Sequence, residues 1–154
     1  MDQIGKREIK DLNSKLEPLG AKISKKANVS VQDNFYFIEN ELSFFTFHDH
    51  VLPSLKTIYA DENIKKKMKK VTCDMGAVKF VVKGADLMRP GVISFDETIK
   101  KDEPVIIVDE SHGKPIAVGI SLFSADDYQE KETGKSIKNL HYVGDAIWKG
   151  DVPA

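Results

Sequence analysis

The segment 74–92 places the strongest limits on the fold of this chain, because glycines mark two sharp corners in it. Before the first corner, Val78–Lys83 is apolar and rich in β-branched residues, a composition that predicts a strand. Gly84 ends this strand, and residues 85–88 leave room for a single helical turn. The pattern therefore predicts a strand followed by one short turn.

The second corner directs the chain into another apolar run. Pro90 keeps Arg89 out of the helical region, Gly91 permits a positive φ, and the apolar run restarts at Val92. Lys83 and Arg89 then lie at the two ends of the turn, beside backbone N–H groups that no bulky side chain covers. Such a bend suits a phosphate or a sugar edge. The alternative is a plain connection whose glycines serve only the path of the chain.

The spacing of the glycine motifs resembles the PUA domain, an RNA-binding fold. Four blocks carry the resemblance in order and spacing: Gly76-Ala77 with Gly84-Ala85 and Met88-Arg89-Pro90-Gly91, then Pro115–Gly119, Gly134–Ile137 and His141–Trp148. The closing His-Tyr-x-x-Asp-x-x-Trp pattern is most similar to the subgroup of the malignant T-cell-amplified sequence protein and its archaeal relatives. Together the blocks are specific, whereas each one alone is weak.

The resemblance implies an α+β fold with two domains. A small α/β-sheet domain, similar to the pre-PUA domain of that subgroup, is expected over residues 1–72. A PUA-type mixed β pseudo-barrel with short helices is expected over residues 73–154. The implied function is non-catalytic binding of structured RNA, such as the tRNA acceptor end or small-subunit ribosomal RNA, in translation or RNA modification. A protein partner for the N-terminal domain is implied as well.

Ten residues are expected to form the RNA-binding surface. Lys83 and Arg89 would neutralise phosphates, Met88 would offer an apolar face to a base, and the glycines would let the backbone approach. The resemblance adds the last strand of the barrel to this surface, with Trp148 interpreted as a plug of the barrel core. The full set is Lys79, Lys83, Gly84, Ala85, Met88, Arg89, Pro90, Gly91, His141 and Tyr142.

Charge is distributed unevenly along the chain. The net charge of −1 argues against a protein that coats nucleic acid without discrimination. Residues 1–73 hold thirteen Lys and Arg against ten Asp and Glu, whereas residues 74–154 hold ten against fourteen. RNA binding by the acidic second half requires its basic residues to gather on one face. The competing hypothesis is a protein-interaction adaptor, in which the aromatic first domain docks a partner and the barrel is a scaffold.

The sequence of the first half predicts a small sheet with helices. Helices are predicted over 6–19 and 61–70, and strands over 29–31, 35–38, 42–47 and 53–59. Five of the eight phenylalanines lie between Phe35 and Phe47, a density typical of a sheet core rather than of a base-stacking platform. The acids at the start and lysines at the end of 61–70 follow the order that a helix dipole favours.

The second half reads as β-rich. Strands are predicted over 104–108, 114–123, 136–143 and 146–148. Ser124 is expected to cap a helix that runs towards Glu132 and ends at Gly134, with a carboxylate completing the capping box.

No catalytic motif is present, so an enzyme is not expected. The chain lacks a P-loop, a Gly-x-Ser-x-Gly elbow, a His-Glu-x-x-His helix and a dinucleotide fingerprint. His48 and His50 could bind a metal with a third ligand, or could simply be surface or turn residues. Cys73 is the single cysteine and is expected to be buried. No cofactor is expected, and the absence of a long apolar run favours a cytoplasmic location without a membrane partner.

Overall fold

The computed structural model describes residues 1–153 as two compact units. The first comprises Met1–Met68 together with the C-terminal segment from Ala146, and the second comprises Lys69–Asp145. The division falls a few residues before the boundary predicted at residue 72, and the C-terminal segment returns to the first unit.

The first unit is a five-stranded antiparallel sheet with three short helices. Its strands follow one another in space in the order β1 to β5. Its elements are β1 (Asp2–Gln3), α1 (Lys6–Leu16), a 3-10 turn (Glu17–Leu19), β2 (Val29–Gln32), β3 (Phe35–Ile38), β4 (Glu41–Phe47), β5 (His50–Pro53), α2 (Leu55–Ala60) and α3 (Glu62–Lys67).

Hydrophobic periodicity accounts for most of this unit. Ile9, Leu12 and Leu16 lie on one face of α1 and are buried, as their spacing predicts. Phe37, Phe44 and Phe45 are also buried, which confirms that the phenylalanine-rich strands form the sheet core. The helix predicted over 6–19 and the strands predicted up to residue 47 are confirmed. The helix predicted over 61–70 forms over Glu62–Lys67, whereas Lys69 and Lys70 belong to the strand that follows.

The strand predicted over 53–59 is wrong. The chain leaves the sheet at Pro53, and Ser54 starts α2 by accepting a hydrogen bond from the Thr57 amide at 3.2 Å. Leu55 and Ile58 then point to the core from one helical face and are fully buried. The cap decides the structure here, because it satisfies an amide at the helix start that would otherwise lack a partner.

The second unit is a six-stranded sheet that curves into a nearly closed pseudo-barrel. Its spatial order is β7-β11-β10-β9-β6-β8, and all pairs are antiparallel except β6 with β9. The elements are β6 (Lys69–Cys73), α4 (Met75–Val81), β7 (Leu87–Met88), a 3-10 turn (Arg89–Gly91), β8 (Val92–Phe95), β9 (Glu103–Asp109), β10 (Pro115–Ser121), α5 (Ala125–Glu130) and β11 (Lys135–Tyr142). The α+β class is confirmed.

The core of the second unit includes an aromatic cluster around Tyr128, which is fully buried. Its ring stacks on Phe95 at 4.9 Å and meets Phe123 edge-on at 5.2 Å. The Tyr128 hydroxyl lies 2.9 Å from Ser121 Oγ, so its polar end has a partner. Burial raises the pKa of Tyr128. The helix that carries this residue has the predicted capping box at Ser124, although it ends at Glu130.

The strand predicted over Val78–Lys83 is wrong, because this segment belongs largely to α4. Asp74 caps the helix by accepting a hydrogen bond from the Ala77 amide at 2.7 Å. Val81 lies in the core, and Ala77 and Val78 pack against it from one helical face. The β-branched composition favours a strand, but the cap and the buried face favour a helix and prevail.

Two further local predictions are wrong in the second half. Residues 85–88 form a loop and the short strand β7 rather than a helical turn. The segment 146–148 forms turns rather than a strand. Trp148 does not plug the barrel, since its ring meets Tyr59 at 6.1 Å and lies under Lys56 Nζ at 5.1 Å, all within the first unit.

Candidate nucleic-acid interface

The end of α4 forms a tight and well-defined turn. The Ala85 amide donates to the Phe80 carbonyl and the Gly84 amide donates to the Val81 carbonyl, both at 3.0 Å. This pair of bonds is the Schellman motif, which requires a left-handed residue just after the helix. Gly84 supplies it with φ of +100°. The motif leaves Lys83, Gly84 and Ala85 exposed.

Asn139 on β11 holds this turn against the sheet through three hydrogen bonds. Its Nδ2 atom donates to the carbonyls of Val81 and Ala85, each at 3.0 Å. Its backbone amide donates to Asp86 Oδ1 at 2.8 Å. Within residues 1–153, the buried Oδ1 atom of Asn139 has no hydrogen-bond partner. The turn is therefore tied to the sheet through both the backbone and the side chain of one residue.

The last strand also reaches the turn through Tyr142. A Cβ atom on Gly84 would lie 3.1 Å from Tyr142 Cε1, so the ring rests directly against the glycine. The PUA resemblance implied that the first turn and the last strand contribute to one surface, and this contact brings Gly84 and β11 together. We name the surface made by the end of α4, β7 and β11 the turn surface.

Two lysines of the turn surface have no ion pair within residues 1–153. Lys79 and Lys83 are exposed, and Lys79 Nζ lies 5.6 Å from the ring of Phe80. Phe80 is 59% exposed and Met88 is 47% exposed, values unusual for large apolar side chains. The turn surface thus combines unneutralised cations with accessible apolar groups.

Asp86 is the acid of this surface, and it is paired. Lys135 Nζ lies 3.0 Å from Asp86 Oδ2, and Lys135 stands opposite Met88 in the β7–β11 register. Partial burial opposes ionisation of Asp86, but the Asn139 amide and the ammonium groups of Lys135 and Lys138 together lower its pKa. Asp86 is therefore ionised at neutral pH and is already occupied by protein donors.

Arg89 occupies a structural position that the sequence did not predict. Its Nε and Nη2 atoms donate to the Tyr128 carbonyl at 3.0 and 2.8 Å, and Nη1 donates to the Val92 carbonyl at 3.2 Å. The guanidinium carbon also lies 5.9 Å from the Tyr128 ring. These bonds use three of its five N–H donors. Arg89 joins the start of β8 to α5, so we remove it from the expected phosphate ligands.

Two neighbours of Arg89 also differ from expectation. Gly91 does not adopt a positive φ. It is needed because a Cβ atom there would lie 2.9 Å from Ala77 Cβ, where the chain passes close to α4. Pro90 is exposed in the second position of the 3-10 turn, where its missing amide costs nothing because the first amides of a helix have no partner within it.

His141 is fully buried, so it cannot contact a ligand in this conformation. Its Nδ1 atom lies 2.9 Å from both carboxylate oxygens of Asp145, and Asp145 Oδ2 accepts the Tyr142 amide at 2.9 Å. The expected RNA contact at His141 is therefore replaced by a structural role. The aspartate of the His-Tyr-x-x-Asp pattern therefore has a structural role, because its carboxylate binds the last two residues of β11.

Sequence reasoning missed Phe80, Asn139 and Lys135 as members of this surface. Lys135 lies inside the quoted Gly134–Ile137 block, but nothing in the sequence pairs it with Asp86. Had α4 been predicted as a helix, Phe80 would have been placed on the side facing away from Val78, which packs against the core.

Other candidate chemistry has little support in the described residues. In the described part of the chain, no three His, Cys, Asp or Glu side chains are grouped to hold a metal. His48 sits in a turn with φ of +53° and packs on Phe47 at 4.2 Å. Cys73 is buried as predicted, and burial followed by the charges of Asp74 and Asp109 raises its pKa to about 11. No helix within residues 1–153 is long and apolar enough to cross a membrane.

The sequence profile of the PUA domain matches residues 69–143, which is nearly the whole second unit. The fold and the turn surface thus define a PUA-domain protein. An uncharacterized protein of Methanocaldococcus jannaschii is 40% identical over 156 residues, covering 94% of this chain and 93% of the relative. Translation machinery-associated protein 20 of Schizosaccharomyces pombe is 31% identical over 146 residues, covering 90% of this chain and 79% of the relative.

The crystal structure of a hypothetical protein from Pyrococcus horikoshii matches the same architecture. Its TM-score is 0.80 at 28% identity, and the match covers 96% of each chain. The chain therefore belongs to the family of Translation machinery-associated protein 20, which also contains the proteins named Malignant T-cell-amplified sequence 1. The resemblance inferred from the sequence is confirmed, and the family supports an RNA-related function.

Proposed function

We propose that this protein is a non-catalytic RNA-binding protein that recognises structured RNA through the turn surface of its PUA domain. The observation that carries the proposal is the packing of Tyr142 on Gly84, which unites the end of α4 with β11. On this shared surface, Lys79 and Lys83 are exposed cations without ion pairs in residues 1–153. Gly84 and Ala85 present backbone that a phosphate can approach closely.

The chemistry of the surface suits recognition of shape and phosphate path. Lysine ammonium groups neutralise phosphates without reading bases, and side chains cannot read the deep groove of an RNA helix. The exposed Phe80 and Met88 add apolar faces on which an unpaired nucleotide can rest. A helix that ends in single-stranded nucleotides combines these two features.

The proposed targets follow from this chemistry and from the relatives. A tRNA acceptor end has a helix followed by unpaired nucleotides, and small-subunit ribosomal RNA offers similar junctions. The name of Translation machinery-associated protein 20 places that relative with the translation apparatus. We propose that this protein likewise acts in translation and is located in the cytoplasm. The alternative role for such a domain is to assist an RNA-modifying enzyme.

A protein partner of the first unit stays a proposal, and the adaptor hypothesis is not favoured. That hypothesis expects apolar exposure on the first unit. Large exposed hydrophobic side chains of the first unit are Met1 and Tyr59 among the described residues, whereas the second unit exposes Met75, Phe80, Met88 and Ile93. The apolar exposure therefore lies mainly in the PUA domain.

Titration of the full chain with tRNA and with small-subunit RNA fragments, at several salt concentrations, tests the proposal. Replacement of Lys79 and Lys83 by glutamine should reduce the slope of log binding constant against log salt by about 1.4 to 1.8, because each phosphate contact contributes about 0.7 to 0.9. The matched control replaces Lys100 and Lys101, two exposed lysines of the same unit outside the turn surface. Equal losses in both variants would remove the turn surface from the mechanism.

A further inference from the structure

The first unit contains a basic groove that the turn surface does not include. It has a volume of about 540 Å³, and we name it the first-unit groove. Lys10 of α1, Lys22 and Lys25 of the following loop, and Lys67 of α3 line it, with Glu17 as the single acid of the lining. The remaining lining residues are small or polar: Asn13, Ser14, Gly20, Ala21 and Asn63.

The loop that carries two of these lysines is held rigidly. Asn13 Nδ2 donates to the Ile23 carbonyl at 2.9 Å, and the Ile23 amide donates back to Asn13 Oδ1 at 2.7 Å. Asn63 Nδ2 donates to the Gly20 carbonyl at 3.0 Å and thereby ties the loop to α3. The backbone that carries Lys22 and Lys25 is therefore already ordered and needs no rearrangement before binding.

Gly20 lets the two walls of the groove come together. It adopts φ of +80°, and a Cβ atom there would lie 2.9 Å from both Lys67 Cβ and the Asn63 carbonyl oxygen. Any other residue would push α3 away from the loop. The glycine that ends the first helical segment thus also brings Lys67 next to the loop lysines.

The groove lysines are exposed and none of them is paired with the one lining acid, Glu17. None of Lys10, Lys22, Lys25 and Lys67 forms an ion pair with any residue from 1 to 153. Their neighbour Lys65 differs, because it pairs with Glu62 at 3.1 Å. Four like charges around one groove repel each other in the free protein, and a bound polyanion relieves this repulsion.

We infer that the first-unit groove binds the phosphate backbone of RNA, as a second contact independent of the turn surface. The inference rests on the proposed function in that the ligand is RNA. The lining has no aromatic or large apolar side chain, so it offers no stacking platform for a base. It equally lacks the aromatic and apolar anchors that protein interfaces use. Binding through this groove is consequently insensitive to RNA sequence and steeply dependent on salt.

Replacement of Lys22 and Lys25 by glutamine in the full chain tests the inference. Both side chains are exposed and neither forms an ion pair or a side-chain hydrogen bond within residues 1–153, so circular dichroism should be unchanged. In tRNA titrations the salt slope should fall by about 1.4 to 1.8, which corresponds to roughly 25- to 60-fold weaker binding at 0.1 M salt. The matched control replaces Arg7 and Lys15 by glutamine. These replacements remove the same charge from exposed positions of α1 outside the groove.

The outcomes separate this inference from the proposed function. A salt slope that the groove variant leaves unchanged, while the Lys79 and Lys83 variant lowers it, overturns the inference and leaves the turn surface intact. A loss in the groove variant alone supports the inference and overturns the role of the turn surface. Equal reductions of the salt slope in the groove variant and its control overturn the inference, since the net charge of the protein would then explain both. Displacement of tRNA by polyglutamate at equal charge concentration would overturn the choice of RNA.

Discussion

The ring of Tyr142 rests against Gly84, so the last strand of the barrel contacts the left-handed residue that follows α4. A side chain at position 84 is disfavoured twice, by φ of +100° and by the tight contact that its Cβ atom would make with the ring. Backbone and aromatic side chain are therefore matched across the turn surface, and a change in either should disturb the lysines beside them.

Gly84→Ala should lower the free energy of unfolding by about 2 to 3 kcal/mol, since left-handed backbone strain and a steric clash act together. Gly134→Ala isolates the strain, because Gly134 has a similar φ of +104° and its would-be Cβ makes only an ordinary contact, 3.5 Å from Phe123 Cζ. That control should cost about 1 kcal/mol. Urea unfolding measures both. Equal losses of unfolding free energy in the two variants would show that the contact with Tyr142 does not affect stability.

Arg89→Lys should lower the free energy of unfolding by about 2 kcal/mol, because an ammonium group cannot reach both the Tyr128 and Val92 carbonyls in the fork geometry of a guanidinium. The same variant keeps the positive charge. At temperatures where it is folded, its affinity for tRNA should match that of the unmodified chain. A large loss of affinity in the folded variant would return Arg89 to the binding surface.

Asp86→Asn should destabilise the fold at neutral pH and become harmless in acid. A carboxyl group whose pKa is lowered by folding contributes stability above its unfolded pKa, and that contribution disappears as pH falls through the folded pKa. The difference between the two chains should thus be largest near pH 6 and shrink below the ordinary aspartate value of 3.8. Urea unfolding across this range measures it. A difference that stays constant with pH would contradict ionic stabilisation by Lys135.

Cys73 should resist alkylation in the folded chain. Its thiol is buried, and its pKa of about 11 leaves almost no thiolate near pH 8. Iodoacetamide should modify it only after unfolding in concentrated guanidinium, as followed by mass spectrometry. Rapid modification of the native chain at this pH would mean that β6 opens readily.

Local pattern predicted those elements whose burial has a simple period. The apolar face of α1 falls in this group. Composition predicted the phenylalanine-rich strands β3 and β4, and local signals predicted the capping box at Ser124 and the corner at Gly84. The prediction failed where a cap opposed composition, as at Asp74, which caps α4 while the helix packs one apolar face into the core. It failed similarly at Ser54 and α2.

The functional residues show a different limit. Exposure of Lys79 and Lys83 agrees with the sequence interpretation, since short-range pattern is enough to place a lysine on a surface. The partners of Arg89 and His141 were not predictable. The Tyr128 carbonyl is remote from Arg89 in sequence, and the burial of His141 depends on how β11 packs in the barrel.

The two chain segments that build the first unit have a practical consequence for dissection of this protein. Trp148 completes a cluster with Tyr59 and Lys56, although the whole PUA domain separates them along the chain. Expression of residues 1–68 alone would strip away that aromatic cover and expose Tyr59 further. An excised first unit must instead join residue 68 to residue 146 through a linker, which retains both pieces of the cluster in one polypeptide.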